Sequence, residues 1–132
     1  MKQDIVFLTL AEAVDIHRNQ IELYGGIEGI RDITLLSSAL AVPRATFNGE
    51  YLIPDIFGMA AAYAYHICQN HPFTDGNKRA ALVCSLIFLD FNKIEIDDPN
   101  EVLYSAMMDM ASGKMKREEF VLILKKLSTS PD

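Results

Sequence analysis

Residues 56–91 read IFGMAAAYAYHICQNHPFTDGNKRAALVCSLIFLDF, two apolar runs separated by the polar nonamer HPFTDGNKR at 71–79. The apolar residues of the first run occupy every face at helical spacing, and Ala61, Ala62 and Ala64 let neighbouring backbones come close. That pattern predicts a central, buried helix opened by Pro54-Asp55 and running to about Asn70. Residues 80–91 are again apolar all round apart from Ser85 and Asp90, which predicts a second buried helix packed near the first and stopped at Asn92. A connection between two such helices needs a turn-former or two. This one carries a His, an Asp, an Asn, a Lys and an Arg.

Outward from this pair, the pattern stays helical. Upstream, Thr9 with Glu12 forms a capping box, and Leu10, Val14, His17, Ile21 and Tyr24 recur at helical spacing until Gly25-Gly26. A shorter helix starts at Asp32, carries Leu35, Leu36, Ala39 and Leu40, and must stop before Pro43. Between them and the central pair, Asn48-Gly49 flanked by Thr46-Phe47 and Glu50-Tyr51-Leu52 predicts a tight hairpin, a flap. Downstream, Lys93 to Asp97 reads as a short extended piece. Asp98-Pro99-Asn100-Glu101 reads as an N-cap, a Pro at the first helical position and a capping Glu, opening a helix that ends near Gly113. The last helix has Phe120, Ile123, Leu124 and Leu127 on one face, and 128–132 reads as a frayed tail. The expectation is a single all-α domain over 1–132, about six helices with a small hairpin.

Composition narrows the function. With 132 residues the chain can bury a real core, and 50% hydrophobic content excludes disorder. A formal net charge of -6 leaves no broad basic face for a nucleic-acid backbone. Cys68 and Cys84 lie in apolar runs without metal-ligand spacing and read as buried thiols of a reducing compartment. The longest apolar runs fall short of the ~20 residues that cross a membrane. The N-terminal MKQDIVFLTLAEAVD has early acids and no signal-peptide pattern, so a cytoplasmic protein is expected.

The nonamer ends with Lys78 and Arg79 in the first turn of a helix, where the helix dipole disfavours cations by about 0.3–1 kcal/mol each. A bound anion at the same helix end would reverse that sign, because free N–H groups and two cations together make a phosphate site. Gly76 supplies backbone freedom, and Asn77 can cap the helix or contact the anion. Asp75 can pair with Lys78 or Arg79, or hold Mg²⁺ beside a polyphosphate. His71 can take a proton from a hydroxyl, Phe73 points inward as an anchor, and Pro72 stiffens the exit from the preceding helix. Each residue alone has an ordinary structural explanation: helix end, turn, cap or solvated charge. Together they are the parts for transferring a phosphate-containing group to a hydroxyl. His17, on an apolar stripe, reads as a hydrogen-bonded core or rim residue, and His66 as packing. The methionines read as core filler, with Met107, Met108 and Met110 available to an adaptable surface. Lys114 to Arg117 reads as a solvated helix start.

HPFTDGNKR resembles the signature loop of the Fic superfamily, H-P-F-x-[DE]-G-N-G-R, and more closely its Doc (death-on-curing) branch, in which Lys replaces the penultimate Gly. LTLAEAVDIHRNQIELYGG, GIRDITLLSSALAVPRATF and IFLDFNKIEI extend the resemblance over most of the chain. It implies an all-α bundle with the loop between two central helices and a flap that aligns a target peptide through Asn48-Gly49. It further implies His71 as the base, Asp75 as the Mg²⁺ ligand, and Gly76, Asn77, Lys78 and Arg79 around the ATP phosphates. With Lys78 in place of Gly, the family pattern implies transfer of the γ-phosphate, in Doc proteins to a Thr of elongation factor Tu. Pro72 and Gly76 follow the general Fic pattern, which implies AMP transfer as the alternative. A non-catalytic module that only binds nucleotide or a partner is the third reading. No self-inhibiting [ST]-x-x-x-E-[GN] segment is present: Thr46 to Glu50, followed by Tyr51, does not match. The resemblance therefore implies a separate antitoxin whose C-terminal segment folds against the chain.

Overall fold

The structure, a computed structural model, describes residues 4–129. Six helices and one hairpin follow in the order α1 Leu10–Tyr24, α2 Ile33–Ala41, β1 Thr46–Phe47, β2 Glu50–Tyr51, α3 Ile56–Asn70, α4 Asn77–Phe91, α5 Val102–Ala111 and α6 Arg117–Leu127. The all-α expectation holds. Helix α3 is the centre: it packs most extensively on α4 and also on α2, α5 and α6, while α1 lies on α4 and α2. Ala60, Ala61, Ala62 and Ala64 are fully buried, so the small side chains sit where helices approach.

Local chemistry sets the boundaries. The Thr9 hydroxyl accepts from Glu12 N–H at 3.1 Å and the Glu12 carboxylate accepts from Thr9 N–H at 2.8 Å, completing the capping box of α1. Asp32 and Asp55 cap α2 and α3 through their carboxylates. Asn48 and Gly49 both take positive φ, 52° and 78°, as a two-residue hairpin turn requires. The Tyr63 hydroxyl accepts from Leu8 N–H at 3.0 Å, tying the N-terminal segment to α3, and burial pushes its phenol up to about 12.

Two boundary expectations change, the start of α5 and the tail after α6, while the stop of α4 at Asn92 holds. Helix α5 begins at Val102 rather than at Pro99, because Asp98 reaches past a turn to accept from the N–H groups of Val102 (2.8 Å) and Leu103 (2.9 Å). Glu101 takes a left-handed conformation, φ 53°, at the junction. Asn92 ends α4 with its side chain, which donates to Phe88 C=O at 2.8 Å and exchanges two bonds with the backbone of Val6, while Lys93 takes the left-handed turn. Ser128 and Thr129 are not frayed. Ser128 bridges Ile96, and Thr129 N–H donates to Glu95 C=O at 3.0 Å. The rest of the expected tail, 130–132, lies outside the described residues. Among the described residues no helix is long and apolar enough to cross a membrane. Both cysteines are buried thiols, and desolvation raises Cys84 to about 12.

Candidate active site

The nonamer spans the gap between α3 and α4. His71 ends α3 in a left-handed conformation, φ 49°, that an L-residue adopts only when its surroundings hold it there. The chain then dives inward: Pro72 is buried and Phe73 is 1% exposed. Phe73 lies flat on His17 of α1, ring centroids 3.8 Å apart and planes 1° from parallel. Nε2 of His17 lies 2.7 Å from the Asp75 carbonyl, so this nitrogen carries the proton and donates. His17 is thus the hydrogen-bonded core residue expected, and its task is to hold the loop.

Asn77 departs from expectation. It is the first residue of α4, and the N-cap is Gly76, at φ 74°, without a side-chain cap. The Asn77 side chain instead closes the loop: Oδ1 accepts from Phe73 N–H and Nδ2 donates to Phe73 C=O, both at 3.0 Å. Those two bonds fix the amide orientation, which aims its remaining N–H at Nδ1 of His71, 3.3 Å away. An acceptor role for Nδ1 leaves the imidazole proton on Nε2. The contact is long, so the alternative tautomer loses only one weak bond.

A cap turned inward leaves the helix end open. The first intrahelical bond is Ala80 N–H to Gly76 C=O, so the N–H groups of Asn77, Lys78 and Arg79 lack helical acceptors. Lys78 is exposed, and among the described residues neither Lys78 nor Arg79 has a carboxylate, and Asp75 has no cationic side chain, within ion-pair distance. The internal pairing considered for Asp75 is absent. Its carboxylate accepts instead from Ile27 N–H at 3.1 Å and from its own neighbour Gly76 N–H at 2.9 Å. A side chain on Gly26 would place Cβ 2.9 Å from Asp75 Oδ2, so the second glycine after α1 makes room for this carboxylate. The Arg79 guanidinium lies 4.0 Å over the Tyr24 ring and 5.2 Å from that of Tyr104.

No group of three or more His, Cys, Asp or Glu forms a metal cage among the described residues. A lone carboxylate such as Asp75, beside the open start of α4, fits Mg²⁺, which binds through one or two protein oxygens with phosphate and water completing the shell.

Sequence reading missed the strand-like segment that clamps the loop from outside. Ile30 bridges Phe73, Thr74 N–H donates to Gly29 C=O at 3.1 Å, and the N–H groups of Arg31 and Asp32 both donate to Pro72 C=O, at 2.7 and 2.9 Å. The Arg31 side chain adds bonds to the carbonyls of His71 and Asn70. No periodicity marks such residues, whose partners lie about forty positions away. Helical spacing marks Tyr24 only as an apolar stripe position, and nothing in the sequence marks Tyr104.

Two other readings are corrected away from the loop. Arg117 is not merely solvated: it donates to His66 Nε2 at 3.0 Å and lies 5.6 Å from the Tyr65 ring. Both line a separate cavity of about 660 Å³ between α3 and the start of α6, to which the nonamer contributes nothing. Of the methionines singled out, Met107 and Met110 are core and Met108 is 40% exposed.

The family model described as "Fic/DOC family" matches residues 7–89, from the segment before α1 through most of α4. The chain belongs to the Fic/DOC family. Within it, the chain is similar to Toxin Doc of Mycolicibacterium smegmatis, 37% identical over 73 residues, 55% of this chain and 56% of that protein. It is also similar to Protein kinase doc of Escherichia phage P1, 29% identical over 121 residues, 92% of this chain and 94% of that protein. The first match spans about half the length of its relative and the second nearly all. The Fic/DOC match includes every residue of the nonamer together with His17, Gly26 and Arg31, whereas Tyr104 lies beyond it.

Proposed function

We propose that this Fic/DOC chain is a cytoplasmic Doc-type toxin that transfers the γ-phosphate of ATP to a Ser or Thr hydroxyl of a translation protein, elongation factor Tu being the first candidate. An antitoxin whose C-terminal segment covers the chain would restrain it. The observation that carries the reading is Lys78: an exposed ammonium in the first turn of α4, with no counter-ion among the described residues, beside unbonded N–H groups and Arg79. These groups suit a phosphate chain.

In this reading the backbone N–H groups at the start of α4, Lys78 and Arg79 bind and orient the phosphates. Asp75 would hold Mg²⁺, which supplies charge neutralisation on the phosphate oxygens when bound. The substrate oxygen forms a bond to the γ-phosphorus, the bond from that phosphorus to the bridging oxygen of ADP breaks, and His71 takes the hydroxyl proton on Nε2 in the tautomer protonated at Nδ1, giving up the weak Asn77 contact. The name of the phage P1 relative, a protein kinase, supports this direction. AMP transfer remains the second reading, on the Fic-like Pro72 and Gly76. Gly76 favours it weakly, because φ 74° and Ile21 Cδ1 only 3.1 Å from an added Cβ demand glycine whatever the reaction.

The test is incubation with Mg²⁺, translation factors and ATP labelled at the α- or the γ-phosphate. Label arriving from γ, lost in His71→Ala and reduced in Lys78→Gly, is expected. Label from α alone overturns phosphotransfer. No transfer by either label, with growth inhibition intact in His71→Ala, would leave the binding-module reading.

A further inference from the structure

We propose that Arg31 is a positioning residue for the His71 base, a part that rests on the group-transfer reading of the site. His71 must leave α3, turn through a left-handed φ of 49° and present its imidazole at the mouth of the loop. The last carbonyls of a helix have no intrahelical donors, and a non-glycine residue in this conformation tends to relax. Arg31 meets both needs at once. Its Nε donates to His71 C=O at 2.7 Å, its Nη2 donates to Asn70 C=O at 3.0 Å, and its backbone N–H donates to Pro72 C=O at 2.7 Å. Three consecutive carbonyls, those flanking His71 and its own, are therefore fixed by one residue from the α1–α2 connection.

The geometry is specific to arginine. Two parallel N–H bonds to adjacent carbonyls need a planar fork, and a lysine ammonium cannot reproduce them from one point. The contacts fall on the main chain, so Arg31 sets where the imidazole starts and occupies neither ring nitrogen. It takes no part in phosphate binding, which lies with α4.

The test compares Arg31→Ala and Arg31→Lys with the full-length wild-type chain, using Arg18→Ala as a control because Arg18 pairs only with exposed Asp15 at 3.1 Å. Without nucleotide, the ¹⁵N and ¹³C signals of the His71 imidazole should shift and broaden in both Arg31 variants and stay in place in the control. With nucleotide, kcat should fall about 10- to 100-fold in Arg31→Ala while KM for ATP stays within about twofold, and Arg31→Lys should recover little of it. Imidazole signals unchanged in a folded Arg31→Ala overturn the proposal whether or not the wild type transfers label. Full rescue by lysine overturns it too, since charge at a helix end would then suffice. Absence of transfer by the wild type would defeat the group-transfer reading and leave the spectra to decide the positioning. If Arg31→Ala does not fold, the spectra of Arg31→Lys decide alone.

Discussion

Two helices of this chain begin with a Lys-Arg pair, and the two pairs are treated oppositely. At α6, Lys116 and Arg117 are followed by Glu118 and Glu119; Glu119 accepts from Lys116 N–H at 2.9 Å, and Arg117 is engaged by His66. Acids in the first turn offset the cations, and a neutral imidazole takes up one of them. At α4, Lys78 and Arg79 have no acid in the first turn and no side-chain cap, because the one candidate cap, Asn77, is turned inward to Phe73. The same dipeptide is thus offset by acids at one helix, whereas at the other Lys78 has no counter-ion among the described residues and Arg79 meets only the rings of Tyr24 and Tyr104. A motif's meaning lies in whether its charge is already answered.

The largest effect should separate the two arginines. Arg79→Ala is expected to lower transfer by at least about 100-fold with weakened nucleotide binding, read by titration with a fluorescent ATP analogue; Arg117→Ala should leave both within about twofold. Equal losses would erase the distinction.

A smaller effect reverses the usual sign of a damaging substitution. Lys78→Glu removes a cation and adds an anion where the α4 dipole favours one, so denaturant unfolding should show a gain of about 0.5–1 kcal/mol while γ-phosphate transfer disappears. A loss of stability would mean that Lys78 is already compensated in the apo protein.

The smallest is a pH dependence located where His66 of α3 meets the start of α6. Burial and then the neighbouring Arg117 lower the His66 pKa, so the unfolded chain takes up this proton at a higher pH than the folded one. The group therefore contributes nothing to pH dependence well above the ordinary histidine range near ~6.5, and stability drains away as pH falls below it. His66→Gln should flatten the melting temperature between about pH 7 and 5, and a slope identical to wild type would place the dependence elsewhere.

How much of this was legible in the sequence differs between fold and site. The helices followed from periodicity and caps because those interactions are local: Thr9 with Glu12, Asp32 and Asp55 at their helix starts, Asn48-Gly49 at the hairpin. The loop chemistry was legible as a set of residue types at a helix start. What escaped was the role of contacts distant in sequence. Asn77 was available as a cap, and only the inward path of Phe73 shows why its amide is committed elsewhere. Arg31 and Gly26 serve the loop from the other side of a turn, and Arg117 finds His66 across 51 positions. Long-range polar pairing leaves no periodic trace in one sequence.

The stack of His17 on Phe73, closed by the bond to the Asp75 carbonyl, has a bearing on hydrogen exchange. Loops that gate active sites usually belong to the least protected parts of a protein. Here the amide of Phe73 is buried and bonded to Asn77, and the segment is wedged between α1 and the central pair, so it should exchange with the slowest amides of α3 and α4. A loop of that kind does not switch by loosening. Control over it has to come from what occupies its outer face.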